Sequence, residues 1–222
     1  MLAVALALPA TAAAQSTGGT AAPEPAPEPT PAPAPAADSP LVIAPKALLG
    51  RATRVSGTVA RRHRNRIVRL QRFDEAESKW RSEARTTVER DGTFTARWRP
   101  RALGPLRVRA LVQRRRPARV TASLPEVAVT VYRPGMATWY GPGFYGNQTA
   151  CGQELTPDVV GVAHKSLPCG TPVEISYKGA SIVVPVIDRG PYARGMTWDL
   201  TEAAAQALGF TETARVGALV QR

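Results

Sequence analysis

The chain has 222 residues, room for one large domain or two small ones, and 44% are hydrophobic, which supports packed cores and excludes a wholly disordered chain. Two cysteines, Cys151 and Cys169, and two histidines, His63 and His164, exclude a four-Cys zinc site, a dense disulfide scaffold and a multi-His metal centre unless carboxylates supply most ligands. The net charge of +12 is unevenly spread: residues 1–40 hold three acids and no base, residues 41–133 hold 23 Lys and Arg against 7 Asp and Glu, and residues 134–222 hold 6 against 7. Three charge characters divide the chain into a leader and two domains.

Residues 1–14 read as a secretory signal peptide. The run Leu2–Ala14 is apolar and small, and it ends in an A-x-A pattern, Ala12-Ala13-Ala14, before Gln15. It is shorter than the roughly 18–20 residues that a spanning helix needs, so no transmembrane segment is expected. The basic n-region is missing, consistent with a start upstream of Met1. Residues 15–40 form a Pro/Ala-rich linker in which alternate prolines favour extended polyproline II. A spacer behind a signal peptide suits work in the cell envelope or beyond it.

Residues 41–133 alternate with period 2. Phe94, Ala96 and Trp98 share one face, Leu106, Val108 and Ala110 alternate with arginines, and Val127, Val129 and Val131 repeat the pattern. Asp91-Gly92 between two such runs predicts a hairpin turn. About seven strands and no helix point to an immunoglobulin-like β-sandwich without the disulfide of antibody domains. Two arginine clusters, Arg61, Arg62, Arg64, Arg66 and Arg114, Arg115, Arg116, Arg119, fall in loops. They are either solvated charge or a surface for anionic envelope polymers. No aromatic residues interleave with them and no recognition motif is present, so nucleic acid is not expected as a partner.

Residues 136–222 carry the chemistry. The stretch opens Met136-Ala-Thr-Trp-Tyr-Gly141 and passes through Ala163-His-Lys-Ser-Leu-Pro168 and Val186-Ile-Asp-Arg-Gly-Pro191. It closes on Trp198-Asp-Leu-Thr201 and an alanine-rich run to Gly209. The runs 173–177 and 181–187 read as strands joined by a turn at Lys178-Gly179-Ala180, the second apolar enough for a buried strand. Asp199 reads as a helix N-cap with Glu202 three residues on, and Gly209 as the stop. Together the blocks A-x-W-Y-G, A-H-K-x-L-P and V-x-D-R-G-P resemble the rare lipoprotein A-like family of double-psi β-barrels, related in fold to the expansins. The resemblance covers residues 136–222 only and implies a six-stranded double-psi barrel with a short helix there; with the sandwich read from periodicity before it, the chain is expected to be all-β.

The resemblance also implies a secreted lytic transglycosylase acting on peptidoglycan glycan strands. A carboxylic acid protonates the glycosidic oxygen and the sugar's own C6 hydroxyl attacks the anomeric carbon, leaving a 1,6-anhydro end. Asp188 matches the family's catalytic carboxylate. It ends an apolar strand, where an acid is poorly solvated and suited to proton transfer, and turn capping is the alternative. The family's A-x-G-E motif reads Ala150-Cys-Gly-Gln153 here, with Glu154 shifted by one. Either Glu154 substitutes, or Asp188 acts alone, or the barrel is a non-catalytic, expansin-like glycan-binding module. His164 is placed in the groove by the resemblance and is otherwise structural. Trp139, Tyr140, Phe144, Tyr145 and Tyr192, set among glycines, suit sugar stacking, with Gln153 as a further sugar contact. An extracytoplasmic setting and a lone pair of cysteines predict a Cys151–Cys169 disulfide. A monomer with neither cofactor nor metal completes the expectation.

Overall fold

The structure is a computed structural model that describes residues 41–116 and 118–221; the expected signal peptide and linker, 1–14 and 15–40, lie outside them. The basic region opens with β1 (Val42–Ile43), β2 (Lys46–Leu48), β3 (Thr53–Thr58), β4 (Ile67–Asp74) and β5 (Lys79–Thr87). It continues through β6 (Thr93–Trp98), β7 (Gly104–Gln113), β8 (Val120–Ser123) and β9 (Val127–Tyr140). Period-2 alternation builds these strands as expected: β6 buries Phe94, Ala96 and Trp98 and exposes the residues between them. β1, β3 and β6 form one sheet, and β5-β4-β7-β9 form a second, with β8 added to β7 and β2 running parallel to β9. Val55, Phe94 and Trp98 from the first sheet share one hydrophobic core with Leu70, Val108, Val112 and Val129 from the second.

The turn at Asp91-Gly92 forms, with Asp91 Oδ1 accepting from both the backbone and the hydroxyl of Thr93. Its flanking strands do not pair as a hairpin, however. β5 stays on β4 while β6 crosses to β3. Trp98 and Phe94 carry apolar bulk that only the space between two sheets can bury, so the turn becomes the link from one layer to the other.

The second half of the chain supplies β10 (Val162–Ala163), β11 (Pro172–Tyr177), β12 (Ala180–Asp188), β13 (Trp198–Thr201), helix α1 (Glu202–Leu208) and β14 (Ala214–Val220). With the second half of β9 these strands run in the order β13-β10-β12-β11-β14-β9, and pairing of β9 with β13 closes the ring. Two of the contacts, β10 with β12 and β13 with β9, are parallel. This is a six-stranded double-psi β-barrel with a short helix. Val173, Ile175, Val184, Val186, Leu200 and Val216 fill it.

β12 is less buried than its apolar sequence suggests: Val184 and Val186 face the core, Ile187 is buried against Gly161, and Val183 and Pro185 are exposed. The β11–β12 hairpin turns on Lys178 and Gly179, both at positive φ as a two-residue primed turn requires. Among the described residues no helix is long and apolar enough to cross a membrane.

The expected domain boundary, between residues 133 and 136, falls inside β9, a continuous strand of 14 residues. Its first part pairs with β7 and its second with β14 and β13. Where β9 passes from sandwich to barrel, buried Tyr132 lies against Gly217 of β14: a Cβ on Gly217 would stand 2.7 Å from Tyr132 Cβ and 3.0 Å from Leu48 Cδ2. The Leu48 methyl can shift, but Tyr132 Cβ is fixed to the backbone of β9 and cannot. Gly217→Ala should therefore lower stability by about 1–3 kcal/mol through overpacking, read as a lower urea midpoint at unchanged slope.

Candidate active site

Three adjacent strands place two carboxylates side by side. β10 is the middle strand, and its Ala163 is in register with Asp188 of β12 on one side and Asp199 of β13 on the other. Two strand spacings put the two Asp Cα atoms roughly 10 Å apart. Ala163 between them is small and buried, so the space above it stays open. A pocket of about 370 Å³ opens there, lined by Asp188, Asp199, Tyr140 and Thr138 at its base and by Asn147, Gln148, Phe144 and Tyr192 higher up.

Asp188 is held by backbone. Its Oδ1 accepts from Ala150 N–H at 2.9 Å and Arg189 N–H at 2.7 Å. The Arg189 side chain turns away and donates to the carbonyls of Leu167, at 2.9 Å, and His164, at 3.4 Å, so it braces the neighbouring loop and makes no ion pair with Asp188. Asp199 accepts a 2.6 Å hydrogen bond from the Thr138 hydroxyl on β9. Burial pushes the Asp199 carboxyl above its ordinary 3.8, the Asp188 charge adds to this, and the Thr138 bond offsets part of it. The Tyr140 hydroxyl is buried beside Asp188, and burial first, then the charges of Asp188 and Asp199 and a hydrogen bond to Asp188, raise its pKa. The base of the pocket is thus two carboxylates and a phenol, with the Asp199 carboxyl raised above its ordinary pKa by burial.

Asp199 is not the helix cap that its sequence position suggested. It lies inside β13, and Thr201 caps α1, accepting from Ala204 N–H at 3.3 Å. The strand alternation of buried Trp198 and Leu200 around Asp199 was the signal that could have placed it; the capping pattern that begins at Asp199 competed with it.

Of the expected site residues, Asp188, Tyr140 and Tyr192 line the pocket, as does Phe144. Tyr192 is 82% and Phe144 56% exposed, flat faces free to stack on a sugar ring. Trp139 alternates with Thr138 and Tyr140 along β9 and lies on the other face. Tyr145 donates to Glu202 and stands outside the lining. Gln153 and Glu154 are exposed and also outside it. Their segment folds back on itself, Gln153 O accepting from Thr149 N–H at 2.8 Å and Leu155 N–H donating to Asn147 O at 2.9 Å, and presents Asn147, Gln148 and Thr149 to the pocket instead.

His164 also stands outside the lining. Its backbone N–H donates to Asp188 O at 3.1 Å, and its Nδ1 accepts from Leu167 N–H at 3.0 Å and Ser166 N–H at 3.2 Å. The ring packs on Trp198 at 4.5 Å. Burial first, then the charges of Arg189 and Lys165, lower its pKa, so the neutral ring is favoured. Cys151 and Cys169 are joined, as expected, with Cα atoms 5.7 Å apart. The bond ties the Ala150 donor segment to the loop that Arg189 braces, on either side of the end of β12.

Residues 133–219 match the family described as "Lytic transglycolase", the double-psi barrel group. The chain is similar to the "Probable endolytic peptidoglycan transglycosylase RlpA" of Synechocystis, 42% identical over 88 residues, 38% of this chain and 27% of that protein. It is also similar to the protein of that name from Aquifex aeolicus, 44% over 80 residues, covering 35% of each chain. The "Endolytic peptidoglycan transglycosylase RlpA" of Pseudomonas aeruginosa matches at 43% over 83 residues, 36% of this chain and 24% of that one. The chain therefore spans about a quarter to a third of the length of these relatives.

Two outcomes test this geometry. Replacing both cysteines by serine should cost roughly 3 kcal/mol, the loop-closure value for a ring of this size, measured by urea unfolding. The second concerns pH. A carboxyl whose folded pKa is raised contributes stability that is present below its unfolded value and is lost as pH rises through the folded one. The melting temperature of Asp199→Asn relative to the wild type should accordingly move in favour of the variant as pH rises from about 4 to 7; a constant difference would mean that Asp199 is not electrostatically penalised.

Proposed function

Because residues 133–219 match the family described as "Lytic transglycolase", we propose that this protein cleaves peptidoglycan glycan strands to 1,6-anhydro ends. The observation that carries the reading is the pairing of Asp188 and Asp199 across Ala163 in a pocket rimmed by exposed aromatics. In the reaction the bond from the anomeric carbon to the leaving oxygen breaks as the C6 oxygen bonds to the anomeric carbon. One proton passes to the leaving oxygen and one leaves the C6 hydroxyl, so no water is consumed. Asp188, half-buried at the pocket wall, is the group that meets the substrate and exchanges these protons. Asp199, beside it in the same pocket and raised in pKa by burial, is the second carboxylate. It takes the place that the sequence left open at Gln153. The nucleophile belongs to the substrate and is held close to the reacting carbon, so positioning supplies much of the rate.

The two-sheet region before the barrel is read as immunoglobulin-like, and its excess of 23 basic over 7 acidic residues as an attachment to anionic polymers of the cell envelope, where a leader such as residues 1–14 would deliver the chain as a secreted monomer. Gln153 in place of the family's glutamate favours a second reading, an expansin-like module that binds and loosens glycan without cutting it.

Digestion of purified sacculi with detection of anhydro-muropeptides by mass spectrometry separates the two. The wild type should release anhydro products, and Asp188→Asn should reduce the rate by about 10²–10⁴-fold while still binding sacculi. Asp199→Asn should slow the reaction and change its pH profile, and Glu154→Gln should leave the rate within about twofold, since Glu154 lies outside the pocket lining. Binding without anhydro products at any pH would establish the loosening module.

A further inference from the structure

The two arginine clusters of the sandwich, some fifty residues apart in sequence, are brought together by register. β4 and β7 are antiparallel with Ile67 opposite Gln113, so the turn that enters β4 and the loop that leaves β7 lie side by side. Arg62, Arg64 and Arg66 from the turn and Arg114, Arg115 and Arg116 from the loop line a groove of about 900 Å³, with Asn65 as the remaining wall residue. All six except half-buried Arg66 are exposed. The backbone holds both walls: Arg66 N–H donates to His63 O at 3.1 Å and Arg114 N–H to Arg119 O at 2.9 Å.

The surrounding charge distribution is not that of a surface kept soluble by mixed signs. Among the described residues none of the six arginines is ion-paired. Arg72, Arg81 and Arg107 of the same sheet are instead served by Asp74, Glu77, Glu83 and Glu126. The acids are segregated from the groove, and guanidinium groups do not deprotonate in water, so their mutual repulsion persists at every working pH. An anion with several oxygens in reach of forked donors relieves it, and phosphate answers to that description. No aromatic ring lines the groove, so it lacks the stacking platform that single-stranded nucleic acid uses.

We propose that this groove is a binding site for a phosphodiester-linked envelope polymer, its successive phosphates chelated by guanidinium groups from the two walls. This deepens, and rests on, the reading of the basic region as an envelope attachment. It is independent of the chemistry in the barrel.

Fluorescence anisotropy of the full chain with a labelled poly(glycerol phosphate) oligomer tests it. Binding should be plain at 50 mM salt and about 100-fold weaker at 500 mM. Arg62→Gln, Arg64→Gln, Arg114→Gln, Arg115→Gln and Arg116→Gln combined should weaken it about 100-fold at low salt. The same loss of charge at exposed arginines elsewhere (Arg51→Gln, Arg97→Gln, Arg101→Gln, Arg133→Gln and Arg215→Gln) should weaken it less than about tenfold. Circular dichroism should show both variants folded, and both should release anhydro products from short soluble glycan strands at the wild-type rate. Equal losses in the two variants would overturn the site while leaving attachment by diffuse charge. Absence of wild-type binding at 50 mM salt would overturn site and attachment together. Binding of a single-stranded DNA of equal phosphate number about tenfold more tightly than the oligomer would assign the groove to nucleic acid and overturn the proposal.

Discussion

Strand β9 is the constraint on which the rest depends. It is a ladder strand of the sandwich over Val127–Val131, then a ladder strand of the barrel from Arg133 onward, without a break. A strand cannot slip by one residue without sending every side chain to the opposite face. The register that puts Val129 and Val131 into the sandwich core therefore also decides that Thr138 and Tyr140 face the pocket and Trp139 does not. Contacts on either side of the strand hold this register. Tyr132 donates to Glu174 at 2.7 Å, and Lys46 reaches Gly179 O at 2.8 Å and Ser181 Oγ at 2.9 Å.

The site built on this frame is economical in its donors. Asp188 is oriented by backbone N–H groups, which no side-chain replacement removes, and the segments that carry or neighbour them are tied by the disulfide and by Arg189. Among the described residues Asp199 is oriented by the Thr138 hydroxyl, and it is more sensitive to its surroundings, being buried beside a like charge. Burial thus raises one carboxyl of the pair above its ordinary pKa, an effect of position and not of residue type. The sandwich uses charge differently: it gathers arginines at one loop end and pairs others along the sheet with acids.

Much of the architecture was legible in the residues. Phe94-x-Ala96-x-Trp98 can be read as a half-buried strand because pleating makes alternation the only way to sort six such side chains. The blocks around Asp188 pointed, through their family resemblance, to the barrel, and the lone cysteine pair to its disulfide. Asp199 was misplaced because a cap and a mid-strand acid differ by two residues of register, which local sequence leaves undecided when Thr201 offers an equally good cap. Glu154 drew attention through proximity to a motif, while the fold-back at Thr149–Gln153 left it outside the pocket lining.

By itself, then, the sequence determined what each segment is: which runs are strands, where charge accumulates and which two cysteines are there to pair. Those properties follow from composition and short-range periodicity, which are local. Tertiary structure alone decided what meets what. Asp188 and Asp199 are neighbours because both strands take Ala163 as partner, and the two arginine clusters are one groove because Ile67 lies opposite Gln113. Such pairings are set by ladder register between strands distant in the chain, a long-range choice made by whichever arrangement buries both cores at once.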